Sequence, residues 1–316
     1  PEIVYIAKSS YSYSRYTGEV NTLMISYIPN AESVKNTLAA AVRKVNKEVN
    51  IKNMKPAEIV LAYHEYLTST VEYDDSGYTA YSTVYGRAHK FDMYGTLVDK
   101  KAVCQGYAET MNYFLRKAGI PCGLATSVYI NHAWNVVRIN GKWYNVDATW
   151  DDPVEDLPGR SMHEYFLIST NTLNRKTINA KSSYSLGRYD MKVTGVWNGR
   201  YTGATDKRYE SGQMWSGVEK VMYYRKGYWY CIKKGSSVTE FQIIKNRFST
   251  GGKKVIFSGS AVWYSTSDGY YPAQYGSIFL AQESLYFSTP RYVGRIDLES
   301  PRYECKLLYD IRSVYN

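Results

Sequence analysis

The chain has 316 residues, 44% of them hydrophobic, with 34 tyrosines against 8 phenylalanines and a formal net charge of +10. That length is comfortable for two domains with ordinary cores, and the lack of any apolar run of about eighteen residues excludes a membrane-spanning helix. The basic residues are scattered, with no block of like charge and no DNA- or RNA-reading motif, so no nucleic-acid partner is expected; the surplus charge reads as a solvated basic surface or as attraction to an anionic cell-wall polymer.

Residues 1–30 hold two alternating runs, Ile3 to Ala7 and Val20 to Ile28, separated by a Ser/Tyr-rich stretch and Gly18. They predict a hairpin or the last strands of something upstream. Asn30 to Val49 reads as a helix with Val34, Leu38, Ala41, Val42, Val45 and Val49 on one stripe. A second helix starts at Pro56 and runs through Ile59, Val60, Tyr63 and Leu67. His64 lies beside its apolar stripe, with no carboxylate or thiol partner indicated, and reads as a structural histidine. From Tyr73 to Tyr94 no period is visible, and the stretch is rich in small and aromatic residues, among them Tyr78, Tyr81, Tyr85 and Gly86. Such a loop leading to a reactive residue is expected to form one wall of a cleft. His89, within it, is expected at the surface.

After Cys104, apolar residues recur at Tyr107, Ala108, Met111, Phe114, Leu115 and Ala118 until Gly119 and Pro121 stop the pattern. Cys104 therefore sits in the first turn of a helix, where unpaired amides and the positive dipole end favour a thiolate. Asn140-Gly141 then signals a type I′ hairpin turn. Its register pairs Ile139 with Lys142, and counting outward sets Trp134 opposite Asp147 and His132 opposite Thr149. His132, Trp134 and Asp147 share a face. His132 and Asp147 become diagonal neighbours at roughly 7–8 Å between Cα atoms, which their side chains bridge with a hydrogen bond. In this arrangement Cys104 is the nucleophile, His132 the base and Asp147 the group that orients the imidazole.

The order Cys, His, Asp with "VCQGYA", "NHAWN" and "GKWYNVDATWDDP" resembles the transglutaminase-like superfamily, whose papain-like core uses such a triad. Tyr94-Gly95-Thr96-Leu97 and Tyr165-Phe166-Leu167 also fit, so the resemblance covers roughly residues 31 to 180. It implies the same roles for Cys104, His132 and Asp147, an acyl-thioester mechanism, and chemistry ranging from glutamine–lysine cross-linking and deamidation to peptide hydrolysis. No oxyanion-stabilising side chain is identifiable; the backbone amide of Cys104 is the candidate donor.

Gln105, Trp134, Asn145 and Tyr85 are candidate substrate-binding or supporting side chains. Trp134 is placed to shield the thiolate and imidazolium, while Trp143 and Trp150 read as core. Asp151-Asp152-Pro153 ends the strand; with Glu155 and Asp156 it does not form a loop with calcium-ligand spacing. His163 reads as a capping or packing residue. No metal and no cofactor are expected.

Beyond about Lys181 the chain turns to short aromatic strands. The segments 221–246 and 277–300 each read as a hairpin plus a third strand, with 253–257 and 306–311 as fourth strands. Units of roughly 40–57 residues match propeller blades, but two are too few to close a ring, so an open stack, a sandwich or part of a longer chain is expected. Cys104, Cys122, Cys231 and Cys305 show no metal spacing, and Cys231 with Cys305 is one possible disulfide.

The expected architecture is therefore α+β: an N-terminal β segment (1–30), a papain/transglutaminase-like core of helices on an antiparallel sheet (31–180), and a tyrosine-rich all-β region (181–316). The expected function is a thiol-dependent acyl transferase or hydrolase acting on amide or peptide bonds, with peptidase or amidase activity favoured. The alternative is a non-catalytic cell-surface module binding glycan or protein through its tyrosines, with a vestigial triad. The expected partner is a protein or peptide, cell-wall peptide included. The chain is disulfide-poor and begins at Pro1, which fits a bacterial surface or secreted protein with its signal peptide removed; a cytoplasmic location stays open.

Overall fold

The computed structural model describes residues 6–76, 83–84, 87–152, 159–179, 192–248, 252–260, 276–289 and 291–310. Two strands, β1 (Ile6–Tyr13) and β2 (Val20–Tyr27), pair into a hairpin. The first strand extends past the expected run into the Ser/Tyr-rich stretch, because pairing continues to Tyr13 with Val20 and leaves the turn to the residues around Gly18. Tyr11, Tyr13, Leu23, Met24 and Tyr27 are exposed on it.

Helix α1 (Ala31–Glu48) buries Val34, Leu38 and Val45 at turn spacing. Helix α2 (Pro56–Thr70) differs from its one-stripe expectation, because every residue from Ala57 to Thr68 is buried. A helix enclosed on all sides must pair its polar groups internally, and that fixes where its two glutamates and its histidine point. Helix α3 (Cys104–Lys117) buries Tyr107, Met111, Phe114 and Leu115 and ends at Gly119, whose φ is +79°.

The central sheet contains β3 (Cys122–Ser127), β4 (His132–Ile139), β5 (Lys142–Val146) and β6 (Phe166–Ile168). After helix α4 (Thr170–Asn179), strand β7 (Gly195–Trp197) joins beside β3, giving the antiparallel order β6-β5-β4-β3-β7. The β4–β5 turn has Asn140 at φ +49° and Gly141 at φ +82°, both left-handed as a type I′ turn requires. Pairing runs from Ile139–Lys142 out to Asn135–Val146, the expected register. Alternation sends Val137, Ile139, Tyr144 and Val146 to the core shared with the helices, and Trp134, Val136 and Trp143 to a second cluster with Ile168, Leu173 and Ala204.

Two four-stranded antiparallel meanders follow. One is β8 (Tyr223–Arg225), β9 (Tyr228–Lys234), β10 (Glu240–Asn246) and β11 (Lys253–Ser260). The other is β12 (Ser277–Ala281), β13 (Ser284–Ser288), β14 (Tyr292–Asp297) and β15 (Cys305–Asp310). Both match the expected four-strand grouping, and no closed ring is formed among the described residues. Tyr230, Ile232, Phe241 and Ile243 pack between the two sheets against Ile278, Leu285, Phe287 and Ile296. The opposite face of the first meander, through Trp229, Cys231 and Ile244, joins the same core as α1, α2 and α3. Cys231 and Cys305 therefore lie in different clusters and are free, as are the other two cysteines, which corrects the expected disulfide option. Among the described residues no helix is long and apolar enough to cross a membrane.

Candidate active site

Cys104 is the first residue of α3, with Val103 in extended conformation before it. Its position is set by a short parallel pairing of Glu72–Tyr73 with Lys101–Ala102 and by close contact at Gly106. A Cβ at Gly106 would lie 2.8 Å from the Lys90 carbonyl oxygen, 2.9 Å from Ala102 Cβ and 2.9 Å from Thr96 Oγ1. Only glycine lets the first turn of α3 approach the 90–102 segment so closely.

His132 opens β4, and its Nε2 meets Asp147 Oδ2 at 2.6 Å. Cys104 lines the same cavity as His132, near enough for its thiol to act on the ring electrostatically. Burial alone would lower the pKa of His132; the Asp147 charge and hydrogen bond, helped by Cys104, overcome this and raise it to about 10. Asp147 lies just past the end of β5, where its other oxygen accepts the Thr149 and Trp150 amides at 3.1 and 3.2 Å. An aspartate followed by a tight turn has this habit of capping the amides two and three residues on, and here it fixes the carboxylate before the imidazole arrives.

Two indoles attend His132. Trp134 stacks on it with ring centroids 5.8 Å apart, and Trp150 approaches at 5.3 Å. Trp134 is itself held by its Nε1–H donating to Asn145 Oδ1 at 3.0 Å, while Asn145 Nδ2 donates to the Ile168 carbonyl at 3.2 Å and to Thr170 Oγ1 at 3.2 Å. Asn145 thus touches the indole and reaches the imidazole only through it. Trp150 packs on the edge of the Trp134 core cluster, as expected, but only half-buried, because the turn at Asp147 also swings it against His132 and Tyr165.

Cys104 and His132 line a cavity of about 490 Å³ together with Gln105, Tyr73, Asp74, Asp75, Lys90 and Phe91 from the preceding chain, and Thr126 to Val128 at the end of β3. The segment expected to wall a cleft contributes to it directly. Gln105 is exposed and donates to Glu109 at 2.8 Å. Tyr85, with Tyr78, Tyr81 and Gly86, lies outside the described residues. Burial pushes the thiols of Cys122 and Cys231 up to about 12, which sets them apart as unreactive packing groups.

The other histidines depart from expectation. His89, expected at the surface, is buried, with Nδ1 3.3 Å from Asp92 and its ring 4.5 Å from that of Tyr94. His64, expected to lack a carboxylate partner, is fully buried between two, Glu65 at 3.1 Å and Asp151 at 3.1 Å. The cause is the complete enclosure of α2, which turns its polar side chains toward each other, the 147–152 turn and the later segments that cover the helix. Asp152 is held in turn by Tyr107 of α3, so the turn that carries Asp147 is tied to both helices. His163 does pack as expected, and also bonds Glu65 at 2.7 Å and the Val218 carbonyl at 2.9 Å.

Residues 43–148 match the family model described as the transglutaminase-like superfamily, a span containing Cys104, His132 and Asp147. Over 71 residues the chain is 32% identical to kyphoscoliosis peptidase from Mus musculus and, equally, from Homo sapiens; that stretch is 18% of this chain and 11% of those relatives. The chain therefore matches only about a tenth of their length. Among solved structures it is similar to one described as a TGase, with 15% identity over 46% of this chain and 44% of that one, at a TM-score of 0.30. The chain thus has an α+β fold whose residues 43–148 are similar to the transglutaminase-like superfamily, followed by antiparallel sheets.

Proposed function

We propose that this chain is a thiol-dependent acyl transferase or hydrolase that acts on amide or peptide bonds through an acyl-thioester on Cys104. One observation carries the reading: His132, bonded to Asp147, shares the wall of a substrate-sized cavity with Cys104. Cys104 Sγ passes its proton to His132 and bonds to the carbonyl carbon of the amide. The tetrahedral oxyanion is met by the backbone N–H of Cys104 at the helix start. As the C–N bond breaks, His132 returns the proton to the leaving amine. Water or an amine then attacks the thioester, its proton taken by His132, and as the C–S bond breaks His132 returns that proton to Sγ and the thiol is restored. Asp147 holds the ring and balances its charge in both halves. Gln105, which lines the cavity, is a substrate-binding residue; Asn145 supports Trp134, and Trp134 and Trp150 keep water from the imidazole.

Hydrolysis is the favoured outcome, supported by the peptidase named among the relatives. The substrate is a protein or peptide, cell-wall peptide included, and the location is the cell surface or outside it. The test is a mixed assay in which a peptide library and a biotinylated primary amine are offered together to the chain and to Cys104→Ala. Cleavage or amine incorporation by the chain and by no preparation of the variant is expected. Turnover retained in Cys104→Ala overturns the assignment, and inertness of both leaves the tyrosine-rich binding module as the better account.

A further inference from the structure

Two histidines and a glutamate, none of them lining the Cys104 cavity, turn toward one another in the buried space between α2 and the segment after the central hairpin. His64 has its Nε2 against the Asp151 carboxylate at 3.1 Å, and His163 has its Nδ1 against the Val218 carbonyl at 2.9 Å. Each outer nitrogen thus faces an acceptor, and we assign it the ring's N–H. In the neutral imidazole that leaves His64 Nδ1 and His163 Nε2 as lone pairs, and both face the same carboxylate oxygen, Glu65 Oε1, at 3.1 and 2.7 Å. Three electron-rich atoms converging in a dry interior repel one another until positive charge sits among them.

We propose that His64 Nδ1, His163 Nε2 and Glu65 form a zinc site. The three ligand atoms lie within 4.8 Å of one another. Two imidazoles and one carboxylate are a zinc donor set, whereas calcium and magnesium want oxygen alone. Each ligand has the outer partner that such sites require: Asp151 for His64, the Val218 carbonyl for His163, and the Met222 amide, which donates to Glu65 Oε2 at 2.6 Å. One dication balances the two carboxylates, Glu65 and Asp151, without burying two imidazolium ions as well. An approach exists: a cavity of about 230 Å³ is lined by His163, with Glu164, Glu210 and Glu219 also on its wall. The ion would staple α2 to residues 98 positions further along, in a chain whose cysteines are all free.

The test is zinc content of the full chain purified without chelators, measured by elemental analysis, together with cobalt titration read by visible absorption. About one equivalent of zinc is expected, along with a cobalt spectrum of nitrogen and oxygen ligation, a melting temperature lowered by chelator, and its restoration by zinc but not magnesium. His163→Gln should lose the metal, and Cys104→Ala should keep it. Zinc that vanishes with Cys104→Ala overturns the site in favour of the thiol. A chain without zinc whose melting point zinc leaves unchanged overturns it in favour of protons on both imidazoles. Both readings come from the unaltered chain or Cys104→Ala, so the proposal stays testable where His163→Gln fails to fold.

Discussion

Trp229 donates its indole N–H to Glu58 Oε1 at 3.0 Å, joining residues 171 positions apart in sequence. The other Glu58 oxygen accepts the Lys55 amide at 2.9 Å, so one buried carboxylate closes the start of α2 and docks the first C-terminal meander. Trp229→Phe keeps the ring but leaves Glu58 short of a donor. We expect a loss of about 1–3 kcal/mol, the cost of stranding a buried acceptor. Urea denaturation measures it, and an unchanged midpoint would show that this bond contributes nothing to docking.

Asp147→Asn tests the orientation of the imidazole. The amide oxygen can still accept the Thr149 and Trp150 amides, so the turn should survive. The amide nitrogen would then face His132 Nε2 and impose the wrong tautomer on the ring. Turnover should fall by about 10⁴, with substrate binding kept and the melting temperature near that of the parent chain. A rate within tenfold of normal removes Asp147 from the mechanism.

The stability of the chain should carry a His132 signature in pH. Burial opposes charge on the ring, yet Asp147 and Cys104 raise its pKa from 6.5 to about 10. The folded value lies above the unfolded one, so the contribution is fully present below about 6.5 and disappears as pH rises through about 10. Comparing the chain with His132→Gln at pH 6, 8 and 10, the gap in denaturation midpoint should narrow steadily. A gap that widens with pH would reverse the sign and count against a charged imidazole in the fold.

Gly106→Ala probes the seat of the nucleophile. The added methyl meets the Lys90 backbone oxygen at 2.8 Å, a contact that can only be relieved by moving the first turn of α3. Overpacking of this kind costs about 1–3 kcal/mol. Iodoacetamide labelling of Cys104 should slow as well, because the thiol shifts relative to His132. Normal stability with normal labelling would mean that the segment yields freely.

The residues that met at the cavity were legible because local rules govern them. Cys104 follows from a helix start, and His132 and Asp147 follow from the Asn140-Gly141 turn, which fixes a register without reference to the rest of the chain. The four-strand groups after Tyr223 were readable for the same reason. What escaped depends on distant chain. His64 gave no hint of Asp151 or Glu65, because its environment is made by residues up to Met222 covering α2. His89 likewise is buried by distant chain, and Trp150, at the core's edge, is also turned onto the imidazole by the turn at Asp147. That last case had a signal available, an aspartate heading a turn three residues before an aromatic.

The enclosure of α2 also sets an order of events in time. A chain made from its N-terminus has Cys104, His132 and Asp147 in hand before Trp215, Trp229 and Phe248, which complete the core around that helix, have been joined. The closing contacts span well over a hundred residues, and loops of that reach close late and slowly. Until they do, the helix behind the thiol shows an uncovered apolar face, the kind of surface that chaperones hold and that aggregation exploits. The last part of the chain to be made is in this sense the part that closes the core around one of the first helices.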